Sequence, residues 1–428
     1  MTSSIYKIIQ NKQLGYQNSK KEISDLINQY TNDQIPDYQM SAWLMAVYFQ
    51  GMCRNEVEDY TEVLIKSGKQ LNMSHLPGFV IDKHSTGGVG DKVSFILGPI
   101  LAACGCFVPM LAGRGLSYTG GTIDKLESIP DYKTNLEIND FKKIVEDVGI
   151  SIMGQTEEIC PADKKIYSLR DVTSTISSYP LICGSILSKK IAEGIDGLVL
   201  DVKIGNGAFM KTLNEGKKIA KIIQEVGELH GIQLYTCITD MNQPLGYSAG
   251  LWCEIEESIQ CLKGVGSDDL LKVVLHLGEN ALKLAKIKKP KSLILSMLKN
   301  GKALDIFYRM LEAHGVKIKK LKDQKINKPK FKTYIFAKSK GYINKIDTEK
   351  IGLGLIHLGA GRFEKNDKLD NSAGMKFLKK RGDFVLKKDK LVKIFCSNKD
   401  KIENAKNILN QTYHIGPNKI KEPQLIYK

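Results

Sequence analysis

Apolar and polar positions divide the chain into stretches of different character. In the first 65 residues apolar positions recur at helical spacing, with no strand-like alternation. Ile35-Pro36-Asp37 is a helix-start signal, and Met40, Trp43, Leu44, Val47 and Tyr48 then share one face of a helix ending near Gly51. Residues 56–67 read as another helix, closed by Gly68. Such helices cannot build a large core alone, so they need other helices from this chain or a partner subunit. From Phe79 onward, short apolar runs alternate with glycine turns and helical segments. Strands are predicted at 79–82, 108–112, 197–203 and 233–240, and helices at 93–104, 141–148 and 215–230. That alternation predicts an α/β domain with a mostly parallel sheet. Residues 162–193 read as helical again and return to the N-terminal helices.

Residues 326–340 form a basic, weakly periodic connection. Beyond it, Arg381-Gly382-Asp383, Val385, Lys388-Asp389 and Leu391 follow the hairpin pattern of small lipoyl-like β modules. The predicted architecture is α/β. A small discontinuous all-α domain (1–67 and 162–193) accompanies a large α/β domain (68–161 and 194–325). A basic linker (326–340) leads to a C-terminal α+β domain (341–428).

Composition narrows the class. At 428 residues the chain is long enough for two or three domains, and 42% hydrophobic with 26% charged residues suits a globular protein. No 18-residue apolar run and no signal-peptide pattern occur, which predicts a cytoplasmic protein without membrane contact. The nine cysteines read as reduced, mostly buried thiols, since Cys104 and Cys106 are one residue apart where metal and redox pairs need two. A net charge of +16 raises nucleic-acid binding as a rival function. The excess lies in runs at 286–302, 317–340 and 376–393. The first lacks aromatic residues, and in the second Phe331, Tyr334 and Phe336 equally fit a strand. The runs read as solvated faces and a linker, with no nucleic-acid partner; the positive field also draws phosphate.

Two glycine-rich loops carry the chemistry. Lys83-His84-Ser85-Thr86-Gly87-Gly88-Val89-Gly90-Asp91-Lys92-Val93-Ser94 follows a predicted strand and opens a helix. Glycines there let backbone amides approach an anion, and the helix N-terminus adds positive potential. It matches neither a P-loop nor a dinucleotide fingerprint. Ala112-Gly113-Arg114-Gly115-Leu116-Ser117-Tyr118-Thr119-Gly120-Gly121-Thr122 follows the next strand, so the two loops are expected to face each other across a cleft. Asp201 and Lys203 read as a strand-end ion pair, and Cys183 as packing.

These loops resemble those of the thymidine and pyrimidine-nucleoside phosphorylases. The likeness continues through Pro161 to Thr173, Gly184 to Lys190, Leu200 to Met210 and Thr239 to Gly246, in order along nearly the whole chain. It implies cleavage of a pyrimidine deoxynucleoside by inorganic phosphate, a co-substrate, with no cofactor and no catalytic metal. By position, Lys83, Ser85, Ser94 and Thr122 would bind phosphate and His84 would face the base carbonyl as the catalytic histidine. Tyr167, Arg170, Ser185 and Lys189 would hold the pyrimidine. Some bacterial members carry threonine where this chain has Lys92 and hold potassium nearby; a lysine ammonium can take that place, so no potassium is required. A homodimer through the helical face is implied, as is closure between domains with hinges near Ser67-Gly68 and Glu193-Gly194.

Ala112 stands where serine is usual, Ser117-Tyr118 where Gly-His is common, and Leu251-Trp252 where smaller or polar residues occur. These changes leave substrate preference open. Met110 resembles the thymidine-selective members, which favours 2-deoxyribose. Against thymidine phosphorylase stand a broad-specificity pyrimidine-nucleoside phosphorylase and a phosphoribosyltransferase of the anthranilate type, for which no acidic metal-binding motif is found. A non-enzymatic basic nucleic-acid binder or degenerate homologue is a further alternative.

Overall fold

The computed structural model describes residues 4–115, 120–321, 326–364 and 367–427. The chain opens with four helices, α1 (Ile5–Gln13), α2 (Lys20–Thr31), α3 (Asp37–Gln50) and α4 (Arg54–Lys66). Then come β1 (Ile81–Ser85), α5 (Val93–Ala103), β2 (Val108–Ala112), α6 (Thr122–Glu127), α7 (Ile138–Val148) and β3 (Ile150–Gly154). Two helices follow, α8 (Pro161–Val172) and α9 (Tyr179–Ala192), and then β4 (Gly197–Ile204), α10 (Leu213–Leu229), β5 (Gln233–Asp240) and β6 (Ser248–Gly250). A helical run spans α11 (Trp252–Leu262), α12 (Asp268–Leu284), α13 (Pro290–Lys299), α14 (Lys302–Ala313) and α15 (Ile318–Leu321). The remainder is β7 (Phe331–Phe336), β8 (Gly341–Ile346), α16 (Thr348–Leu358), β9 (Gly374–Phe377), β10 (Phe384–Val385), β11 (Lys390–Cys396), α17 (Lys399–Leu409), β12 (Tyr413–Gly416) and β13 (Ile426–Tyr427). No described helix is long and apolar enough to cross a membrane.

Packing groups the chain into two units. The first takes residues 1–82, 155–198 and 217–234; the second takes 83–154, 199–216 and 235–428. The first is thus wider than 1–67 and 162–193: it gains most of α10, where Gly227 closes against Leu187 and Leu234. Ser67-Gly68 and Glu193-Gly194 lie inside it.

The first unit's core joins α1–α4 to α8 and α9 through Ile8, Trp43, Tyr60, Leu64, Ile166 and Leu181. A capping box starts α2: the Ser19 hydroxyl accepts from the Glu22 amide, and the Glu22 carboxylate accepts from the Ser19 amide at 2.8 Å. The α3 face is narrower than the sequence pattern suggests. Met40, Trp43, Leu44 and Val47 are buried, but Tyr48 is 40% exposed. Gly184 lets α9 approach α4, since a Cβ there would lie 2.4 Å from the Tyr60 ring.

A four-stranded sheet runs in the order β1-β4-β5-β13. Gly197 N donates to Val80 O (3.2 Å) at one end of the first pair and Thr86 N to Asp201 O (3.1 Å) at the other, so β1 and β4 are parallel. Gln233 N to Asp196 O (2.9 Å) and Met241 N to Ile204 O (2.7 Å) make β4 and β5 parallel too. β2 and β3 form a second parallel pair, Val108 opposite Ile150 through Ala112 opposite Gly154. In the four-stranded sheet β13 runs antiparallel, on β5. β1 starts at Ile81 and not at Phe79, because the Asp196 carboxylate takes the Val80 amide (2.8 Å) and the Phe79 ring sits against Gly197.

The C-terminal region is α+β, as predicted, with antiparallel sheets β10-β8-β12 and β6-β9-β11-β7 beside α16 and α17. The expected linker contains a strand: β7 pairs with β11 along its length, Phe331 opposite Cys396 and Ile335 opposite Val392. Alternating burial there is weak because Phe331, Lys332 and Phe336 of β7 are all exposed.

Candidate active site

In the second unit, Lys83, His84 and Ser85 end β1 and are not part of the loop where the sequence suggested them. The strand's direction therefore fixes which way they project. Lys83 is buried, and its ammonium lies 3.7 Å from the Asp91 carboxylate. The chain turns between them through Gly87 (φ +89) and Gly90 (φ +76), and a Cβ on Gly90 would meet the Leu245 carbonyl at 2.7 Å. Ser85 Oγ accepts from the Gly87 amide (3.1 Å). Ser94 lies in the first turn of α5 and Thr122 opens α6. Lys125 of α6 donates to the Asp91 carbonyl (2.8 Å), which ties α6 to the entry of α5, and it pairs with Glu254 (2.6 Å).

Asp91 is the hub of this cluster. Burial opposes its ionisation, but the charges of Lys83 and Lys203, the Ser85 hydroxyl and the charge of Lys125 hold its carboxyl far below the usual carboxylate range. Lys203 pairs with Asp201 (2.6 Å) and donates to Thr239 Oγ1 (3.0 Å), which itself donates to Asp201 (2.6 Å). Asp201 and Lys203 are thus the ion pair the sequence suggested. Lys92 donates to the Leu245 carbonyl (2.8 Å) and pairs with Glu257 (3.0 Å).

In the first unit, Tyr167 and Arg170 lie on α8, and Ser185 and Lys189 lie on α9. The fold brings all four together. Lys189 donates to Ser185 Oγ (2.9 Å), and Lys189 and Arg170 stand 5.6 and 5.8 Å from the centre of the Tyr167 ring. Arg170 is buried and fixed by the carbonyls of Leu181 (3.0 Å) and Ile176 (2.8 Å), which leaves other N–H groups of its guanidinium for a ligand. Burial lowers its pKa, partly offset by Tyr60, Tyr167 and Asp163, but a guanidinium stays cationic. Cys183 is buried with its thiol pushed up, so it is packing and no nucleophile.

Sequence reasoning assigned no role to Asp163, whose carboxylate pairs with Lys189 at 2.5 Å. Asp163 Oδ1 and the Tyr60 hydroxyl are buried with no hydrogen-bond partner among the described residues. Asp91 and Asp163 both sit inside the quoted motifs, and an acid at fixed distance from a motif lysine is the signal that could have found them.

A cationic cradle at the ends of parallel strands, and a second cluster that pairs two cations with an aromatic ring, invite comparison with known enzymes. The pyrimidine-nucleoside phosphorylase of Geobacillus stearothermophilus is 40% identical over 98% of both chains. That of Bacillus subtilis (strain 168) is 41% identical over 95% of this chain and 94% of its own. This chain belongs to the pyrimidine-nucleoside phosphorylase family. Family models match in sequence: the glycosyl transferase helical bundle domain over residues 6–68, the glycosyl transferase a/b domain over 78–304, and the pyrimidine nucleoside phosphorylase C-terminal domain over 342–416. Anthranilate phosphoribosyltransferase from Thermus thermophilus shares the fold at a TM-score of 0.55 and 14% identity, over 72% of this chain and 99% of that one.

Within a pyrimidine-nucleoside phosphorylase, the departing positions fall in several settings. Ala112 ends β2 and Met110 is buried at its middle opposite Ile152. Leu251 and Trp252 are buried where α11 begins. Ser117 and Tyr118 lie outside the described residues.

Proposed function

We propose that this chain is a cytoplasmic thymidine phosphorylase, which reversibly converts thymidine and deoxyuridine with phosphate to the free base and 2-deoxy-α-D-ribose 1-phosphate. It would act in pyrimidine salvage or catabolism. The observation that carries this is the convergence of Arg170 and Lys189 on the Tyr167 ring, with Ser185 hydrogen-bonded to Lys189.

When the glycosidic C–N bond breaks, its electron pair leaves with the base. Two fixed cations beside a ring-sized aromatic surface stabilise that developing anion, and Ser185 supplies a hydroxyl for a ring carbonyl or N–H. His84 donates to the base carbonyl as partial general acid. The sugar gains positive character, which phosphate held by Lys83, Ser85, Ser94 and Thr122 offsets before one of its oxygens forms the new C–O bond. Asp91, paired with Lys83 at 3.7 Å, orients its ammonium. Lys92 offers an ammonium to a carbonyl and a carboxylate that would otherwise suit a monovalent cation, so no potassium is required.

The names of the relatives favour a second reading, in which uridine is also cleaved. Release of free base from thymidine, deoxyuridine and uridine with phosphate, followed spectrophotometrically, separates the two. Lys83→Ala and His84→Ala should each lower kcat/KM by about a hundredfold or more. No base from any of the three nucleosides would overturn the proposal.

A homodimer is supported by exposed Tyr6, Leu14, Tyr38 and Phe49 on α1, at its end and on α3, at 70%, 62%, 73% and 77%. A monomer mass in sedimentation equilibrium would refute it.

A further inference from the structure

A cavity lies wholly within the second unit, apart from the residues assigned to phosphate and base. It has a volume of about 520 Å³ and lies between the start of α11 and one face of the β6-β9-β11 sheet. This size suits a small organic ligand.

Its sheet wall is chemically unusual. Ser248, Lys376 and Lys393 are successive partners across β6, β9 and β11, so their side chains rise in a row from one face. Like charges directly opposite each other destabilise a sheet. Neither lysine takes part in an ion pair among the described residues. Glu257, at the same cavity, is already committed: it accepts from the amides of Tyr247 (2.6 Å) and Ser248 (2.8 Å) and pairs with Lys92 (3.0 Å). Glu256 acts on Lys376 only as a nearby charge. Two ammoniums therefore face the cavity against one carboxylate outside any ion pair, Glu256, which also interacts with Trp252. Phe395, two residues beyond Lys393 on the same face of β11, adds an aromatic surface with the Lys393 ammonium 5.9 Å from its ring centre, and Tyr247 lines the cavity as well.

We propose that this cavity binds a phosphorylated ring compound of mononucleotide size, with the phosphate on Lys376 and Lys393 and the ring against Phe395 and Tyr247. A phosphate dianion relieves the repulsion of the lysine pair and accepts charge-assisted hydrogen bonds from both. The planar ring accounts for the two aromatic walls. The site is independent of the phosphorolysis reading, because it uses none of that reaction's residues.

Isothermal titration of the full-length protein with thymidine 5′-monophosphate tests it. Saturable binding is expected, weakened by about tenfold or more in a Lys376→Ser/Lys393→Ser double variant and unchanged in Lys83→Ala. Lys376 is exposed, so the double variant keeps its fold, which far-ultraviolet circular dichroism verifies. Absence of saturable binding would overturn the proposal. So would loss of binding in Lys83→Ala with retention in the double variant, which places the nucleotide on the β1 cradle. Inorganic phosphate binding as tightly as the mononucleotide would overturn the ring's part in recognition.

Discussion

The Asp163–Lys189 pair makes an asymmetric prediction. The two side chains meet at 2.5 Å, but Asp163 is 1% exposed and Lys189 is 15% exposed. Replacing Lys189 with Met leaves a buried carboxylate whose other oxygen already has no hydrogen-bond partner among the described residues. Breaking a buried pair in this way costs about 3–5 kcal/mol. Replacing Asp163 with Asn leaves a lysine that still reaches Ser185 Oγ at 2.9 Å and touches solvent. That loses one charge-assisted hydrogen bond, about 1.5–3 kcal/mol. Lys189→Met should therefore destabilise more than Asp163→Asn, and the double variant should be more stable than Lys189→Met alone. The chain's two tryptophans, Trp43 and Trp252, fall one in each unit. In a Trp252→Phe background, urea unfolding followed by Trp43 fluorescence reads the first unit by itself. Equal single-variant losses, or strict additivity in the double variant, would refute the reasoning. Nucleoside cleavage should fall in every variant, since each misplaces or removes a cation over Tyr167.

His314 is buried, stacked on Tyr132 at 4.4 Å, and bonded to Ser151 Oγ (2.9 Å) and the Lys133 carbonyl (2.8 Å). Burial pushes its pKa down from 6.5 to about 4, so the unfolded chain binds more protons between those values. Its contribution is complete above pH 6.5 and fades as pH falls toward 4, by about 3 kcal/mol at most. Urea midpoints of His314→Gln should lose that part of the wild-type pH dependence. Lys92→Thr removes the ammonium from between the Leu245 carbonyl and Glu257. Activity of the variant should depend on potassium, and exchange of potassium for tetramethylammonium should leave the parent unchanged; a parent that needs potassium would refute the role given to Lys92.

Local chemistry is legible in the sequence and distant pairing is not. β2 and β5 begin and end where their apolar runs and turn residues put them, and α3 stops at the expected glycine. The base-side residues are nameable only through the family resemblance of their motifs; the structure adds that each pair lies one turn apart on its helix, Tyr167 with Arg170 and Ser185 with Lys189. Lys83 reads as loop because glycines follow it, but pairing with β4 extends β1 through Ser85. β7 reads as a linker because its partner β11 lies more than fifty residues on. β6, three residues long, owes its existence to β9. Asp163 escapes notice because its meaning lies in a distance of 2.5 Å to a residue on another helix.

The helical core is assembled from chain segments made far apart in time. Ile8, Trp43 and Leu64 are covered partly by Ile166 and Leu181. At roughly 5–20 residues per second of synthesis, the first four helices leave the ribosome with that face bare for several seconds or more. During that interval they present an apolar stripe to the cell, a natural client surface for a holdase chaperone. A circular permutant that begins at α8 would have α8 and α9 already made when α1 to α4 emerge, and its yield without chaperone help measures what that exposure costs.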